Sequence, residues 1–173
     1  MVISVIVVLM PQRMDGITDM NHDLPTTQEV IHWALTGLLV QGQLSYVKGH
    51  CLYRGPNNTK CGVGHVLPDD LYHDSMEDNG VSVLIEIIDE YIAYDENMRL
   101  VRQVLMRDEP YLVAVQLIHD SLLIDEPPRQ WQFRDYILTK LQRQQQDSLE
   151  LSPMRDIDLS QEIAYLERIE PRS

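Results

Sequence analysis

The sequence predicts an α+β fold, in which a small antiparallel β-sheet or hairpin packs against about five α-helices. Several segments repeat apolar residues at the spacing of an amphipathic helix, whereas the stretch from His50 to Glu77 does not. That stretch contains both cysteines and the turn sequence Gly55-Pro56-Asn57-Asn58 between two short segments of β type. With 44% hydrophobic residues among 173, the chain can bury one core.

The charge balance disfavours two classes of partner. The formal net charge is −13, because 27 Asp and Glu residues outnumber 14 Lys and Arg residues. Nucleic acids and anionic membranes are bound largely through Lys and Arg, so the sequence predicts no nucleic-acid partner and no membrane partner. It favours a protein that offers an acidic surface to a basic macromolecule.

Cysteine usage and the amino-terminal composition indicate the compartment. Two cysteines are too few for a disulfide framework, and we find no secretory signal with a basic start and a small-residue cleavage site. We therefore expect a cytoplasmic protein whose thiols are reduced. The sequence carries no signal for a particular oligomeric state.

The chain divides into three parts. Residues 1–25 are expected to be a leader that is disordered or marks a misassigned start, since methionines recur at positions 10, 14 and 20. The apolar run Met1–Met10 reaches only about half the length that spans a bilayer. Residues 26–146 are expected to form a single globular domain, and residues 147–173 a tail with one short helix that lies outside the core.

Helical periodicity defines the remaining elements. The first helix is predicted over Thr26–Val40, because Thr26 and Glu29 have capping-box spacing and Gly42 is a suitable stop. Five further helices are predicted from the apolar spacing: Ser82–Ala93, Met98–Met106, Tyr111–Leu122, Arg129–Gln146 and, in the tail, Ser160–Ile169.

The predicted sheet has about three strands. They are Gln43–Val47, Cys51–Arg54 and Thr59–Val63, with the last two joined by the Gly-Pro-Asn-Asn turn. Gly62 and Gly64 indicate either a close approach of another backbone or a positive φ angle.

Two sets of motifs occur at fixed spacings. The first set is Cys51-x-Tyr53-Arg54-Gly55, Lys60-Cys61-x-x-Gly64, Leu67-Pro68-Asp69-Asp70-x-Tyr72 and Met76-Glu77. The second is Val115-Gln116-Leu117-Ile118-His119-Asp120, followed by Trp131.

Together these motifs resemble a family of small uncharacterised proteins of tailed bacteriophages and prophages. The resemblance spans roughly residues 26–141 and departs from the family pattern at His65 and His73, in the leader and in the tail. It implies a phage or prophage origin, and hence the host cytoplasm as the compartment, but no activity.

The cysteines and histidines suggest a metal site. Cys51, Cys61 and His65, completed by His50 or His73, offer the thiolate and imidazole donors that zinc prefers. The spacing matches no known zinc signature, and buried cysteines often only fill space in a core. The sequence therefore predicts no cofactor, with zinc as the alternative.

A thiol-based catalytic site is a second hypothesis. Cys61 would act as the nucleophile, His119 as its base and Asp120 as the residue that orients the base. Adjacent helical residues point about 100° apart, which argues against direct orientation of His119 by Asp120. The competing interpretation is that His119 makes a hydrogen bond within the core.

The acidic segment supplies the candidate binding residues. The chain has no Lys or Arg between Val66 and Met98. The predicted binding set is Arg54, Asp69, Asp70, Tyr72, Asp74, Glu77 and Asp78. Three other interpretations remain: the segment is a solvated face, Asp69 and Asp70 sit in the first turn of a helix after Pro68, and Arg54 pairs with a nearby carboxylate.

We expect a non-enzymatic phage or prophage accessory protein that binds a host or phage protein through an acidic surface. The alternative is a small-ligand-binding or metal-binding, enzyme-like domain built on Cys51, Cys61, His65 and His119. Convergence of these four side chains in one open site would favour the alternative.

Overall fold

A computed structural model describes residues 24–91, 95–120, 130–146 and 153–168. The α-helices are α1 (Thr27–Gln41), α2 (Gly62–Val66), α3 (Val81–Tyr91), α4 (Glu96–Asp120), α5 (Gln130–Gln146) and α6 (Ser160–Arg168). The strands are β1 (Tyr46–Val47) and β2 (His50–Cys51). Short 3₁₀ turns lie at Pro56–Asn58, Asp69–Leu71, Asp74–Met76 and Pro153–Asp156.

The predicted α+β class is wrong, because the protein is mostly helical and closer to all-α. The sheet in the described segments consists of β1 and β2 alone, with Tyr46 opposite Cys51 and Val47 opposite His50. The predicted strand over residues 59–63 does not form, since Cys61 caps α2 and Gly62 begins that helix. The hairpin therefore closes before Cys51 rather than after it.

Helix α1 begins and ends as the sequence predicts. The hydroxyl of Thr26 accepts the backbone N–H of Glu29, and the Glu29 carboxylate accepts the backbone N–H of Thr26 at 2.7 Å. Gly42 follows the helix at φ 66°, the left-handed conformation that glycine adopts without strain. The buried face of α1 is made by Val30, Ile31, Ala34, Leu35, Leu38 and Leu39.

Helix α4 is one continuous helix where the sequence predicted two. It runs through Pro110, which is exposed and removes one helical N–H. Both halves bury apolar side chains in the same core, and this burial offsets the lost hydrogen bond. The buried apolar set of α4 is Met98, Val101, Val104, Leu105, Leu112, Ala114, Val115 and Ile118.

The carboxyl-terminal segment packs into the core, contrary to the expectation of a tail outside it. Met154 and Leu159 are fully buried, and α6 forms within one residue of its predicted end. The side chain of Gln28 on α1 exchanges two hydrogen bonds of 2.8 Å with the backbone of Asp158. These contacts tie the segment to the first helix of the fold.

The leader lies outside the described residues, apart from Leu24 and Pro25. Within the described segments, no helix combines the length and the apolar composition needed to cross a membrane.

Candidate functional site

Four polar side chains from distant parts of the chain meet where β2 packs against the end of α4. They are Cys51, Gln116, His119 and Asp120, and we call them the Cys51 cluster. Cys51 ends β2, whereas the other three lie in the last turns of α4. Because they are spaced i, i+3 and i+4, these three share one face of the helix. The two groups of sequence motifs therefore come together in space.

The contacts within the Cys51 cluster are short. Nδ1 of His119 lies 3.3 Å from Sγ of Cys51 and 3.0 Å from Oδ1 of Asp120. Nε2 of Gln116 lies 2.8 Å from the same sulfur and 2.9 Å from the same carboxylate oxygen. His119 is fully buried, whereas Cys51 and Gln116 are half-buried and the Asp120 side chain is 39% exposed. The cluster thus reaches solvent on its Asp120 side.

The backbone before β1 fixes the tautomer of neutral His119. The N–H of Ser45 donates to Nε2 of the ring at 3.3 Å, so this nitrogen carries no proton. The proton of the neutral imidazole therefore lies on Nδ1, which faces Cys51 and Asp120. In this state the cluster is held together by hydrogen bonds alone.

The surroundings shift the pKa values of both groups. Burial lowers the pKa of His119, but its hydrogen bonds with Asp120 and Cys51 outweigh burial and raise it to about 9. Ser45 opposes this rise, since a charged ring would place an Nε2 proton against the backbone N–H. The neighbouring Cys61 thiol and burial raise the pKa of Cys51, so its thiol stays protonated at neutral pH.

Cys61 does not occupy the position predicted for a nucleophile. It caps α2, where its sulfur accepts the N–H of Gly64 at 3.3 Å, and it is 1% exposed. It lies beside Cys51, and the thiol that contacts His119 is that of Cys51. The predicted arrangement, with Cys61 against His119, is therefore not formed.

Asp120 and His119 interact directly, although their helical spacing argued against it. Asp120 is the last residue of α4, and its carboxylate turns toward Nδ1 of His119 at 3.0 Å. Cys51 and Asp120 both contact this one nitrogen. A catalytic relay instead uses the two ring nitrogens separately, so the geometry does not form a Cys-His-Asp triad.

The other predicted metal ligands lie elsewhere. The ring of His65 packs against Gly37 of α1, and its Nε2 is buried without a hydrogen-bond partner. His73 stacks on Tyr91 with ring centroids 4.3 Å apart. Nδ1 of His50 lies 3.4 Å from Asp78 at the surface. The three predicted histidine ligands thus contact other residues, whereas Cys51 and Cys61 lie beside each other.

Sequence reasoning assigned no role to Gln116. The signal that points to it is the spacing Gln-x-x-His-Asp at the end of a predicted helix, which places all three side chains on one face. No sequence pattern indicates that β2 meets this face, because Cys51 and His119 are 68 positions apart.

Four of the predicted binding residues are joined in a network of contacts, although the Asp69 side chain is 71% exposed. Arg54 donates to the carbonyl oxygens of Gly64 at 2.6 Å and Leu67 at 2.7 Å. Its guanidinium also pairs with Asp69 at 2.8 Å, which confirms the predicted pairing with a nearby carboxylate. The network thus anchors the loop after β2 to the far end of α2.

Glu77 and Tyr72 complete this network. The Glu77 carboxylate accepts the backbone N–H groups of Tyr53 and Arg54, both at 2.8 Å, and the Tyr72 hydroxyl at 2.7 Å. The Arg54 guanidinium lies 5.1 Å from the centre of the Tyr72 ring. Burial and the hydrogen bond to Glu77 raise the pKa of Tyr72.

The other three predicted binding residues, Asp70, Asp74 and Asp78, are exposed. Asp69 and Asp70 begin a 3₁₀ turn of three residues rather than an α-helix, with Pro68 as its N-cap. The acidic segment is thus divided between a structural part and a solvent-facing part.

No protein-family model, no curated protein and no solved structure matches the chain. The geometry and chemistry of the Cys51 cluster therefore carry the functional inference.

Proposed function

We propose that the protein binds a zinc-class divalent ion through Cys51, His119 and Asp120. One observation carries the proposal: Sγ, an imidazole nitrogen and a carboxylate oxygen of these residues all lie within 4.8 Å of one another. Sulfur, nitrogen and oxygen donors are those that zinc takes from proteins. This set shares only Cys51 with the predicted ligands Cys51, Cys61, His65 and either His50 or His73. It shares Cys51 and His119 with the alternative set of Cys51, Cys61, His65 and His119.

The spacing of the donors suits a small ion. Zinc bonds of about 2.3 Å to sulfur and about 2.0–2.1 Å to nitrogen and oxygen separate tetrahedral donors by about 3.3–3.6 Å. The observed separations are 3.3 Å from Cys51 to His119 and 3.0 Å from His119 to Asp120. An expansion of a few tenths of an ångström would admit the ion.

Two protons oppose binding. The proton of the Cys51 thiol must be released, and the proton on Nδ1 of neutral His119 must move to Nε2. A metal-bound ring would also carry its proton on Nε2, against the N–H of Ser45. We therefore expect affinity to rise steeply with pH.

Cobalt titration of the full chain tests the proposal. Reduced protein freed of metal should bind one equivalent of Co²⁺ and develop the thiolate charge-transfer and tetrahedral absorption bands, and Zn²⁺ should then bleach them. Cys51→Ser and His119→Gln should lose the bands, whereas the matched control Cys61→Ser should keep them. The absence of the bands in the wild type, or their persistence in Cys51→Ser, would show that the cluster is a hydrogen-bond network only.

We propose a second function for the solvent-facing acidic residues, that of a phage or prophage accessory protein that docks on a basic host or phage protein. The exposed carboxylates of Asp70, Asp74 and Asp78 support it. Arg54 and Lys60 both pair with Asp69, and the chain has no Lys or Arg between Val66 and Met98. Negative charge therefore predominates along this segment.

Neutralisation of these three positions tests the docking function. The variant Asp70→Asn/Asp74→Asn/Asp78→Asn should recover less basic protein from host lysate than the wild type, and the difference should shrink at high salt. A control with equal charge change replaces exposed carboxylates on other elements, at Asp135, Asp156 and Glu167. Equal recovery by both variants would argue against a dedicated docking face. Glu77 is left unchanged because its carboxylate is structural.

A further inference from the structure

The amide of Gln116 lies at the centre of the Cys51 cluster with unusual hydrogen bonding. Its Nε2 is 2.8 Å from Sγ of Cys51 and 2.9 and 3.1 Å from the two carboxylate oxygens of Asp120. A nitrogen with two protons thus faces three acceptor atoms. At the other end of the amide, Oε1 is buried without a hydrogen-bond partner.

Both features are unfavourable for a simple hydrogen bond. A separation of 2.8 Å is usual for N–H···O bonds, and sulfur is a larger acceptor that normally stands farther away. An unpartnered buried carbonyl oxygen costs about 1–3 kcal/mol. The carbonyl oxygen of Gln116 therefore has no hydrogen bond, although it lies next to the sulfur and carboxylate oxygens that could bind a metal ion.

A half-turn of the amide exchanges Nε2 and Oε1 with little change in shape. Oε1 would then face Cys51 and Asp120, which offer only acceptors when they are deprotonated. Such a group of sulfur and oxygen atoms is repulsive unless a cation lies among them. Once Cys51 and Asp120 are both deprotonated, as metal binding requires, the reversed amide is favourable only with a cation among these atoms.

We propose that Gln116 supplies the fourth metal donor through Oε1, and that its amide reverses when the ion binds. This inference rests on the proposed metal-binding function. The complete set is Sγ of Cys51, Nδ1 of His119, a carboxylate oxygen of Asp120 and Oε1 of Gln116. Three of these donors belong to the last turns of α4, and the fourth, Cys51, belongs to the hairpin that packs against them.

Four protein donors leave no open position on a tetrahedral ion. Sites of this type hold structure, whereas catalytic zinc sites keep a position for water or substrate. One soft sulfur and one imidazole also select zinc-class ions over Mg²⁺ and Ca²⁺, which prefer oxygen donors. The inferred role is therefore to join β2 to α4, without hydrolytic activity.

Substitution of Gln116 tests the inference. Gln116→Leu removes the donor at similar size, and Gln116→Asn withdraws the carbonyl by one methylene. Both should weaken Co²⁺ binding by about 10–100-fold or more. That is the loss observed when a residue that only hydrogen-bonds to a metal ligand is replaced, and a ligand itself should contribute at least as much. Gln116→Glu keeps an oxygen donor and should bind as tightly as the wild type or tighter. The control Gln103→Leu replaces an exposed glutamine of the same helix and should have no effect.

The possible results separate the two proposals. If the wild type binds no Co²⁺, both the metal function and the role of Gln116 are overturned. If Gln116→Leu and Gln116→Asn keep wild-type affinity and spectrum, the metal function stands and Gln116 is not a ligand. Thermal melts without metal identify any variant that fails to fold. If either Gln116→Leu or Gln116→Asn fails to fold, the other one, compared with Gln116→Glu, shows whether Gln116 is a ligand.

Discussion

Oε1 of Glu77 lies 2.8 Å from the backbone nitrogen of Arg54, and Oε2 lies at the same distance from the backbone nitrogen of Tyr53. One carboxylate thus satisfies two consecutive N–H groups that would otherwise need a partner strand. Hydrogen bonds to a charged acceptor contribute more than neutral ones. The loop after β2 is therefore held by a side chain 23 positions away.

Glu77→Gln should destabilise the protein. The amide keeps one acceptor oxygen but presents its NH₂ group to the second backbone donor, so we expect the free energy of unfolding to fall by about 1–3 kcal/mol. Urea denaturation monitored by far-UV circular dichroism measures the change.

Asp78→Asn is the matched control for this substitution. Asp78 is exposed and has φ 58°, a conformation that asparagine tolerates well. Its replacement should change the free energy of unfolding by less than about 0.5 kcal/mol. Equal unfolding midpoints for the two variants would contradict a structural role of Glu77.

A second prediction concerns the approach of α2 to the loop. A Cβ atom at Gly64 would overlap the carbonyl group of Tyr53, which is backbone and cannot rotate away. Gly64→Ala should therefore lower the free energy of unfolding by about 1–3 kcal/mol, the usual cost of overpacking a core. Thermal and urea unfolding both measure this loss.

Gly80→Ala provides the comparison for Gly64→Ala. No heavy atom lies within 4 Å of a Cβ built at Gly80, which directly precedes α3. Its replacement should cost less than about 1 kcal/mol, the usual difference between glycine and alanine at a helix start. Losses of the same size at both positions would argue against a tight contact at Gly64.

Local signals accounted for what the sequence predicted well. The capping box of Thr26 with Glu29 and the stop at Gly42 are interactions within a few residues, and α1 follows both. The predicted helix over Ser82–Ala93 likewise rests on local apolar spacing, and α3 forms there from Val81 to Tyr91.

The predicted strand over Cys51–Arg54 does not extend past Cys51, and the reason is physical. The backbone N–H groups of Tyr53 and Arg54 bond to the side chain of Glu77, and no second strand is required. An alternation of polar and apolar residues does not show whether the backbone N–H groups bond to a neighbouring strand or to a side chain. The sequence pattern therefore indicated an extended chain but not its partner.

The candidate site depended on tertiary contacts. Cys51 meets His119 across 68 positions, and no periodicity links the two. The contact between α2 and α4, where Gly62 packs on Val115, brings the hairpin to the end of α4. The residue types at the site were visible in the sequence, but their grouping was not.

A third prediction concerns the hydrogen-bonded pair of side chains that joins α6 to α1. Nδ1 of His32 lies 2.6 Å from Oε1 of Glu162, whose side chain is 1% exposed. His32→Ala leaves this carboxylate buried without its partner and should lower the free energy of unfolding by about 1–3 kcal/mol. Urea unfolding measures the total loss, and amide hydrogen exchange locates it in α6.

A double-substitution cycle isolates this interaction. His32→Ala/Glu162→Leu removes the buried carboxyl group together with its partner and should recover part of the stability lost in His32→Ala. Gln161→Ala, at an exposed position of α6, is the control for helix propensity. Strictly additive effects of the two substitutions would show that the pair contributes no coupling.

The buried imidazole of His65 should make the protein sensitive to acid. Burial, together with the nearby positive charges of Lys60 and Arg54, lowers the pKa of His65 to about 4 from its ordinary 6.5. Between these values the unfolded chain binds a proton that the folded chain does not, so stability is full above pH 6.5 and falls as the pH drops toward 4. The loss is about 3 kcal/mol over this interval, at about 1.4 kcal/mol per pH unit.

Replacement of His65 by a residue that does not titrate should remove this loss. His65→Phe keeps a ring against Gly37 and eliminates the unpartnered Nε2, whereas His65→Gln keeps a polar group. Urea unfolding measured from pH 7 to pH 4 should show that the wild type loses about 3 kcal/mol more unfolding free energy than either variant. The carboxylates that titrate in the same range are present in all three proteins, so their contribution cancels. The two variants should differ in their free energy of unfolding at pH 7 but not in how steeply it changes with pH. If both variants changed as steeply as the wild type, His65 would already be charged in the folded protein.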